Sequence, residues 1–473
     1  MAILSWGGLH AQSYTDSVFI LPDTAKAFTI ENFYYLVTRY HPVAKQTALL
    51  NDLALQEIRL ARGNFDPKIE IQYVTKNFND TEYYRQFDGA VKFPTIFPVD
   101  PKVGVARNKG QYLNPENYIS SEFDFRQFYA GVSLPLGQGL ITDERRAALK
   151  QADLFQDLTE AEQVRLINKL LLDAAKDYWN WYNSYYHYRL LNRGVQVATE
   201  IFRRTKINAE QGEAAVIDTV QAKITLQQRL IEQQEALLDF QYSGITLSTY
   251  LWDSVGNPAA LDLTWAPVLQ PDLLVPTPQG IQELTEMARQ NHPELQKLSV
   301  RLVQLDVSRR LAAEFLKPRL DLNYYFLNQP FDPTWNANFN GGEDYKFGLD
   351  FSFPVLIRKE RAKLAQTKIR IAGTELEKSL AERQIINEIN AAHVTLVNTA
   401  GILVNQADMV NNYERLLQAE LLNFENGESD LFKINIQQER LIQSQTKLVK
   451  LLSDYEKQKA ILYWAAGVRG LGR

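Results

Sequence analysis

Cysteine is absent from the 473 residues. That excludes a disulfide framework, thiol chemistry and a lipid-modified cysteine anchor. Nor is there a run of 18 apolar residues, and mean hydropathy is -0.29, so no helical membrane span is present. β-Barrel membrane proteins remain open, because alternating strands keep the average polar. Positive charge is not in excess: the net charge is -5 and the pI about 5.8, which gives no basic field for nucleic acid. The five histidines never adopt a metal-ligand spacing. No zinc-protease, nucleophile-elbow, phosphate-loop or dinucleotide motif occurs. Ser444 and Lys447 have SxxK spacing but lack its companion motifs. The expectation is therefore no enzyme, no cofactor and no metal.

The N-terminus reads MAILSWGGLHAQ. Apolar Ala2–Leu9 followed by Leu-His-Ala-Gln resembles the tail of a secretory signal cleaved after Ala11, without a basic leading region. This predicts a protein that leaves the cytoplasm.

What the chain does contain is a duplication. His41-Pro42 recurs as His292-Pro293, and Pro67 as Pro318. The passage after Pro135 recurs after Pro354, and QGEAAVIDTVQAK (211–223) recurs as NGESDLFKINIQQ (426–438). Four matches in the same order argue for two repeats. We divide the chain into a signal remnant and N-terminal segment (1–26), a first repeat (27–257), a Pro-rich linker (258–278), a second repeat (279–468) and a tail (469–473). The first repeat holds extra residues within 77–120, either added strands or an external loop.

Each repeat opens with a helix interrupted at its His-Pro, because proline disfavours a helical residue before it. Two strands follow. Residues 67–75 and 319–327 alternate in polarity. The clearest strand, 345–353, puts Tyr345, Phe347, Leu349, Phe351 and Phe353 on one face. Its counterpart, 122–134, shifts phase near Gln127, which suggests a bulge. Such strands suit a tilted membrane crossing, with a soluble sandwich as the alternative.

Residues 142–211 contain no proline and one glycine, Gly194. They predict a helix of about 105 Å. Residues 356–426 are also free of proline. Glycines at Gly212 and Gly427 then mark turns into returning helices, to about Trp252 and Ala466. Helices this long must pack as coiled coils. The aromatic segment 178–188 keeps helical spacing at 178, 181, 182, 185 and 188, and should pack against the short helices and the linker.

Four strands cannot close a barrel, and an open aromatic sheet is an edge liability. The simplest solution is a barrel shared between chains, of twelve strands in a trimer or eight in a dimer. The expected class is an α+β membrane protein with long antiparallel coiled-coil hairpins forming an α-barrel, four strands per chain in a shared transmembrane β-barrel, and an internal two-fold repeat.

These elements, the two hairpin tips above all, resemble the TolC-type outer membrane efflux family over about residues 27–468. The resemblance implies a homotrimeric exit duct for tripartite efflux or type I secretion, in the outer membrane and periplasm of a Gram-negative bacterium. Its implied partners are a periplasmic adaptor, an inner-membrane pump of RND or ABC type and outer membrane lipid. It places adaptor docking at Gly212, Ala214, Ala215, Val216, Gly427, Ser429 and Leu431, and the periplasmic aperture at Asp218, Asp430 and Lys433. Lys433 and Ile436 stand where the family carries acids, which puts an acidic ring in doubt. The competing class is a periplasmic coiled-coil scaffold or adaptor with a small β domain.

Overall fold

The computed structural model describes residues 6–8, 25–212, 215–262, 264–268, 274–328, 344–426 and 428–468. Most of the signal-like stretch, including Ala11, lies outside the described residues. Two compact units form. One comprises Met1–Leu50, Ala161–Gln296 and Ser379–Arg473, the other Asn51–Glu160 and Lys297–Lys378.

The second unit contains one antiparallel sheet. Its strands are β3 (Lys68–Phe78), β4 (Thr81–Lys92), β5 (Asp100–Lys109), β6 (Arg126–Pro135), β9 (Arg319–Asn328) and β10 (Tyr345–Ser352), in the order β10-β9-β6-β5-β4-β3. Among the described residues the sheet therefore has six strands where four were expected. The extra residues of the first repeat supply β4 and β5 and the last two residues of β3, Asn77 and Phe78. Asn79 and Asp80 turn β3 into β4 with φ of 52° and 55°, values that Asn and Asp tolerate better than most residues. The bulge expected near Gln127 is absent, and β5 and β6 pair in unbroken register. The phase shift arises one turn earlier. Residues Ser121–Phe123 form a 3-10 turn, and Asp124 and Phe125 are left-handed, so the strand starts at Arg126. β10 stops at Ser352, leaving Phe353 just outside it.

Short elements of the first unit are β1 (Trp6–Gly8), β2 (Lys26–Phe28), β7 (Trp265–Pro267) and β8 (Leu274–Pro276); β1 pairs with β8 and β2 with β7. The helices are α1 (Ile30–Tyr40), α2 (Pro42–Arg62), α3 (Glu144–Glu210), α4 (Val216–Ser248), α5 (Pro278–Asn291), α6 (Pro293–Glu314), α7 (Arg358–Glu425) and α8 (Leu431–Ala465). α3 has 67 residues and α7 has 68, each about 100 Å long at 1.5 Å per residue. The expected breaks fall at the His-Pro pairs. His41 and His292 are extended, with ψ of 136° and 127°.

The core of the first unit is built around the aromatic run of α3. Tyr178, Trp181 and Tyr182 are fully buried. The Tyr178 hydroxyl donates to the Phe28 carbonyl at 2.6 Å, and Tyr186 donates to the Pro267 carbonyl at 3.1 Å. Phe28 stacks on Trp265 at 4.2 Å. The aromatics thus pack on α1, β2 and the linker strand β7, as their helical spacing predicts.

Candidate conduit wall and hairpin tips

Strand register sorts the sheet residues into two faces, because directly paired residues point the same way. One row crosses all six strands as Tyr345, Phe326, Ala130, Val103, Val91 and Ile69. The neighbouring row, on the opposite face, reads Lys346, Tyr325, Gly131, Lys102, Lys92 and Lys68. The first face is apolar throughout its middle and open to solvent: Ile69 is 75% exposed, Leu349 54% and Phe351 68%. Tyr345, Phe347, Leu349 and Phe351 all lie on it. A continuous apolar face of this extent is uncommon on a water-facing monomer.

The other face carries charge and amide groups tied to one another. The Tyr129 hydroxyl donates to Asp88 at 2.6 Å, Lys102 pairs with Glu70 at 3.2 Å, and Asn323 donates to Asp350 at 2.8 Å. Tyr129 lies over Gly104, where a Cβ would collide with its ring. This is the aromatic-on-glycine device that pins curved sheets. A cavity of about 710 Å³ opens on this face, lined by residues including Gln72, Asp88, Lys102 and Tyr129.

A third surface lies on α4. Ile217, Ile224, Ile231, Leu238 and Ile245 recur every seven residues and are 57% to 69% exposed. Ala222, Arg229 and Ala236, also seven apart, are buried against the rest of the chain. In the same series, Ser243 sits 2.6 Å from Ser184 of α3. The helix therefore turns its small and polar seam inward and its large apolar seam outward. That inverts the ordinary amphipathic arrangement. A sustained apolar heptad is the signature of a helix awaiting a coiled-coil partner.

Arg229 sits between hairpins. It pairs with Glu232 at 2.5 Å and, across to α8, with Glu439. Burial works against its charge, but the hydrogen bonds to Glu439 and Glu232 outweigh that and raise its pKa. Gly194 of α3 allows the approach, since a Cβ there would lie 3.1 Å from Ile442. Gln233 donates to Asn192 at 2.7 Å, and Gln406 donates to the Ser444 carbonyl at 2.9 Å. Sequence reading missed these contacts, because none has a motif.

At the first tip, Gly212 has φ of +82° and closes α3 by donating to the Ala209 carbonyl. This is the left-handed ending that favours glycine. Ala215 is the N-cap of α4, Val216 its first residue, and Asp218 lies in its acidic first turn. Ala214 lies outside the described residues, as does Gly427. At the second tip Leu431 opens α8, and the Ser429 hydroxyl bonds Glu420. Asp430 is the N-cap of α8, and its carboxylate accepts from the Lys433 N–H at 2.9 Å. The Lys433 ammonium lies 3.9 Å from the same carboxylate, both groups being exposed.

No family model and no curated protein matches the sequence. Solved structures do match the fold. The CmeC outer membrane channel of Campylobacter jejuni is 12% identical, with a TM-score of 0.63 over 98% of this chain and 95% of that one. The outer membrane protein VceC of Vibrio cholerae is 14% identical, with a TM-score of 0.63 over 93% and 96%. The open-state MtrE outer membrane channel of Neisseria gonorrhoeae is 11% identical, with a TM-score of 0.63 over 98% of each chain. The chain has the TolC-type outer membrane channel fold. The apolar face of the sheet and the outward heptad of α4 are among the exposed apolar surfaces of the chain.

Proposed function

We propose that the chain is one protomer of a passive exit duct in the outer membrane of a Gram-negative bacterium, extending into the periplasm. The observation that carries this reading is the sheet, with one apolar exposed face and one polar face across six strands. An apolar outside and a polar inside are what a transmembrane barrel requires. Among the described residues, the outer edges of β3 and β10 are unpaired. Because the six strands alternate in direction, β3 and β10 run oppositely, and β3 of one copy fits β10 of the next as an antiparallel pair. Closure removes both edges. The fold resemblance supports three copies, which gives eighteen strands where four per chain would give twelve. In this assembly the outward heptad of α4 packs on a helix of the neighbouring copy.

Two structural repeats, 27–257 and 279–468, each supply one long hairpin. The tips around Gly212, Ala215, Val216 and Ser429 dock a periplasmic adaptor, and Asp218, Asp430 and Lys433 line the aperture. An inner-membrane pump of RND or ABC type supplies the energy, within a tripartite efflux or type I secretion system. The deciding experiment is purification from membranes in mild detergent, followed by mass measurement and planar-bilayer recording. A trimer with stable ion conductance is expected. A water-soluble monomer that never conducts would overturn the reading.

A further inference from the structure

The link between β5 and β6 folds back over the polar face of the sheet. The Asn108 side chain, which register places on that face, donates to the Asn117 carbonyl at 3.1 Å. The Asn108 N–H donates to the Phe125 carbonyl at 3.0 Å. Ile119 is buried. Glu116, Asn117 and Ile119 line the same cavity as Gln72, Asp88 and Lys102 of the polar face. Two further bonds anchor the start of the link, from the Gln111 and Tyr112 N–H groups to the Glu82 and Tyr83 carbonyls. At its far end Asp124 pairs with Arg126 at 3.0 Å.

The link joins Lys109 to Arg126, at the end of the sheet opposite Pro135, from which the chain continues into α3. It therefore sits at the end of the sheet away from the strand-to-helix passage at Pro135. A barrel of sixteen to eighteen strands leaves an aqueous channel, whereas about eight strands fill their own interior with side chains. In the proposed trimer, eighteen strands would enclose a pore that sheet side chains alone do not fill.

We propose that residues 111–125 lie inside the pore and form an outer sieve, which sets the size of solute that passes the external mouth. The proposal rests on the exit-duct reading above. Three copies of the segment would project Glu116 and Tyr118, both exposed in the single chain, toward the pore axis. The sieve is separate from the hairpin tips and acts on polar solutes already inside the barrel.

The absence of cysteine makes the test direct. Single cysteines are introduced as Glu116→Cys, Ser133→Cys and Val132→Cys. Ser133 and Val132 are neighbours on opposite faces of β6, polar and apolar respectively. Each assembled variant is treated in planar bilayers with a charged, membrane-impermeant thiol reagent. Modification is expected to lower conductance for Glu116→Cys and Ser133→Cys and to leave Val132→Cys unchanged. If Ser133→Cys responds and labelled Glu116→Cys does not, the segment lies outside the pore; the sieve is refuted and the duct stands. If labelled Ser133→Cys does not respond either, the polar face is not the lumen, and both readings fall. As a second measurement, replacing residues 112–123 by a short glycine turn is expected to raise conductance roughly two-fold or more, since an unfilled wide barrel conducts freely. Unchanged conductance in an assembled deletion variant also overturns the sieve.

Discussion

The backbone N–H of Glu294 donates to Nδ1 of His292 at 3.2 Å, across the proline that starts α6. Val43 does the same to Nδ1 of His41 at 3.2 Å. Each histidine thus acts as an N-cap. Each must be neutral to accept, because a protonated ring offers only donors. Burial pushes His292 down to about 4 and lowers His41 as well.

The pH dependence follows from the sign of that shift. Unfolded histidine titrates near 6.5. Between that value and about 4, the unfolded chain takes up a proton at His292 that the folded chain refuses. Stability is full above about 6.5 and falls as the pH drops toward 4. The loss at His292 is on the order of 2 kcal/mol after allowance for partial exposure. His292→Asn keeps a capping acceptor without titrating. Thermal melts from pH 7 to 4.5 should show a shallower decline for the variant than for the parent. Parallel declines would remove His292 from the account.

The heptad on α4 predicts a separation of folding from assembly. Ile224 and Ile231 are exposed in the single chain, so aspartate there should change its stability by no more than about 0.5 kcal/mol. In the assembled tube the same charge would be buried in a coiled-coil seam. Ile224→Asp with Ile231→Asp should therefore yield folded monomer by mass measurement and circular dichroism. Normal trimer yield would show that the stripe is not the seam.

Leu349 lies in the middle of β10 on the apolar face, paired with Leu322. Leu349→Arg should cost about 2–4 kcal/mol if the site is at the bilayer midplane. The readout is heat-resistant oligomer recovered from outer membranes. Wild-type recovery and melting would place that face away from lipid.

At the tip, Asp430 is both helix cap and ion-pair partner of Lys433. Asp430→Ala removes the cap and should destabilise α8 by about 1 kcal/mol. Asp430→Asn keeps the cap and removes the charge. Lys433→Asp should increase cation preference and block by multivalent cations in planar bilayers, because confined like charges focus the field. If selectivity and block match the parent, Lys433 is a solvated residue off the aperture.

Much of this architecture is legible in the chain. The proline-free spans located α3 and α7 to within two residues, and alternation located β10. Strands β4 and β5 were obscured by Pro94, Pro98 and Pro101. The first two lie in the turn between the strands, and Pro101 is the second residue of β5. Arg85 and Gly89 also dilute the apolar face of β4. The seven-residue spacing of Ile217 to Ile245 is visible in the sequence. Its meaning is not, because only the fold shows that the chain's own helices pack on Ala222 and Ala236 instead. Arg229 and Gly194 have no local signature; their roles depend on α8, more than 200 residues away in the case of Glu439.

In the proposed duct, the β4–β5 hairpin would also fix how pore width can vary. A single added strand would reverse one edge of the sheet, and every seam between copies would then join parallel strands. Adding two keeps the edges opposed and leaves the neighbouring strands, with their helices, in their former directions. Circumference in this design therefore grows by whole hairpins, one per copy. The strand count can then change by twos without reversing the strands that lead into the helices.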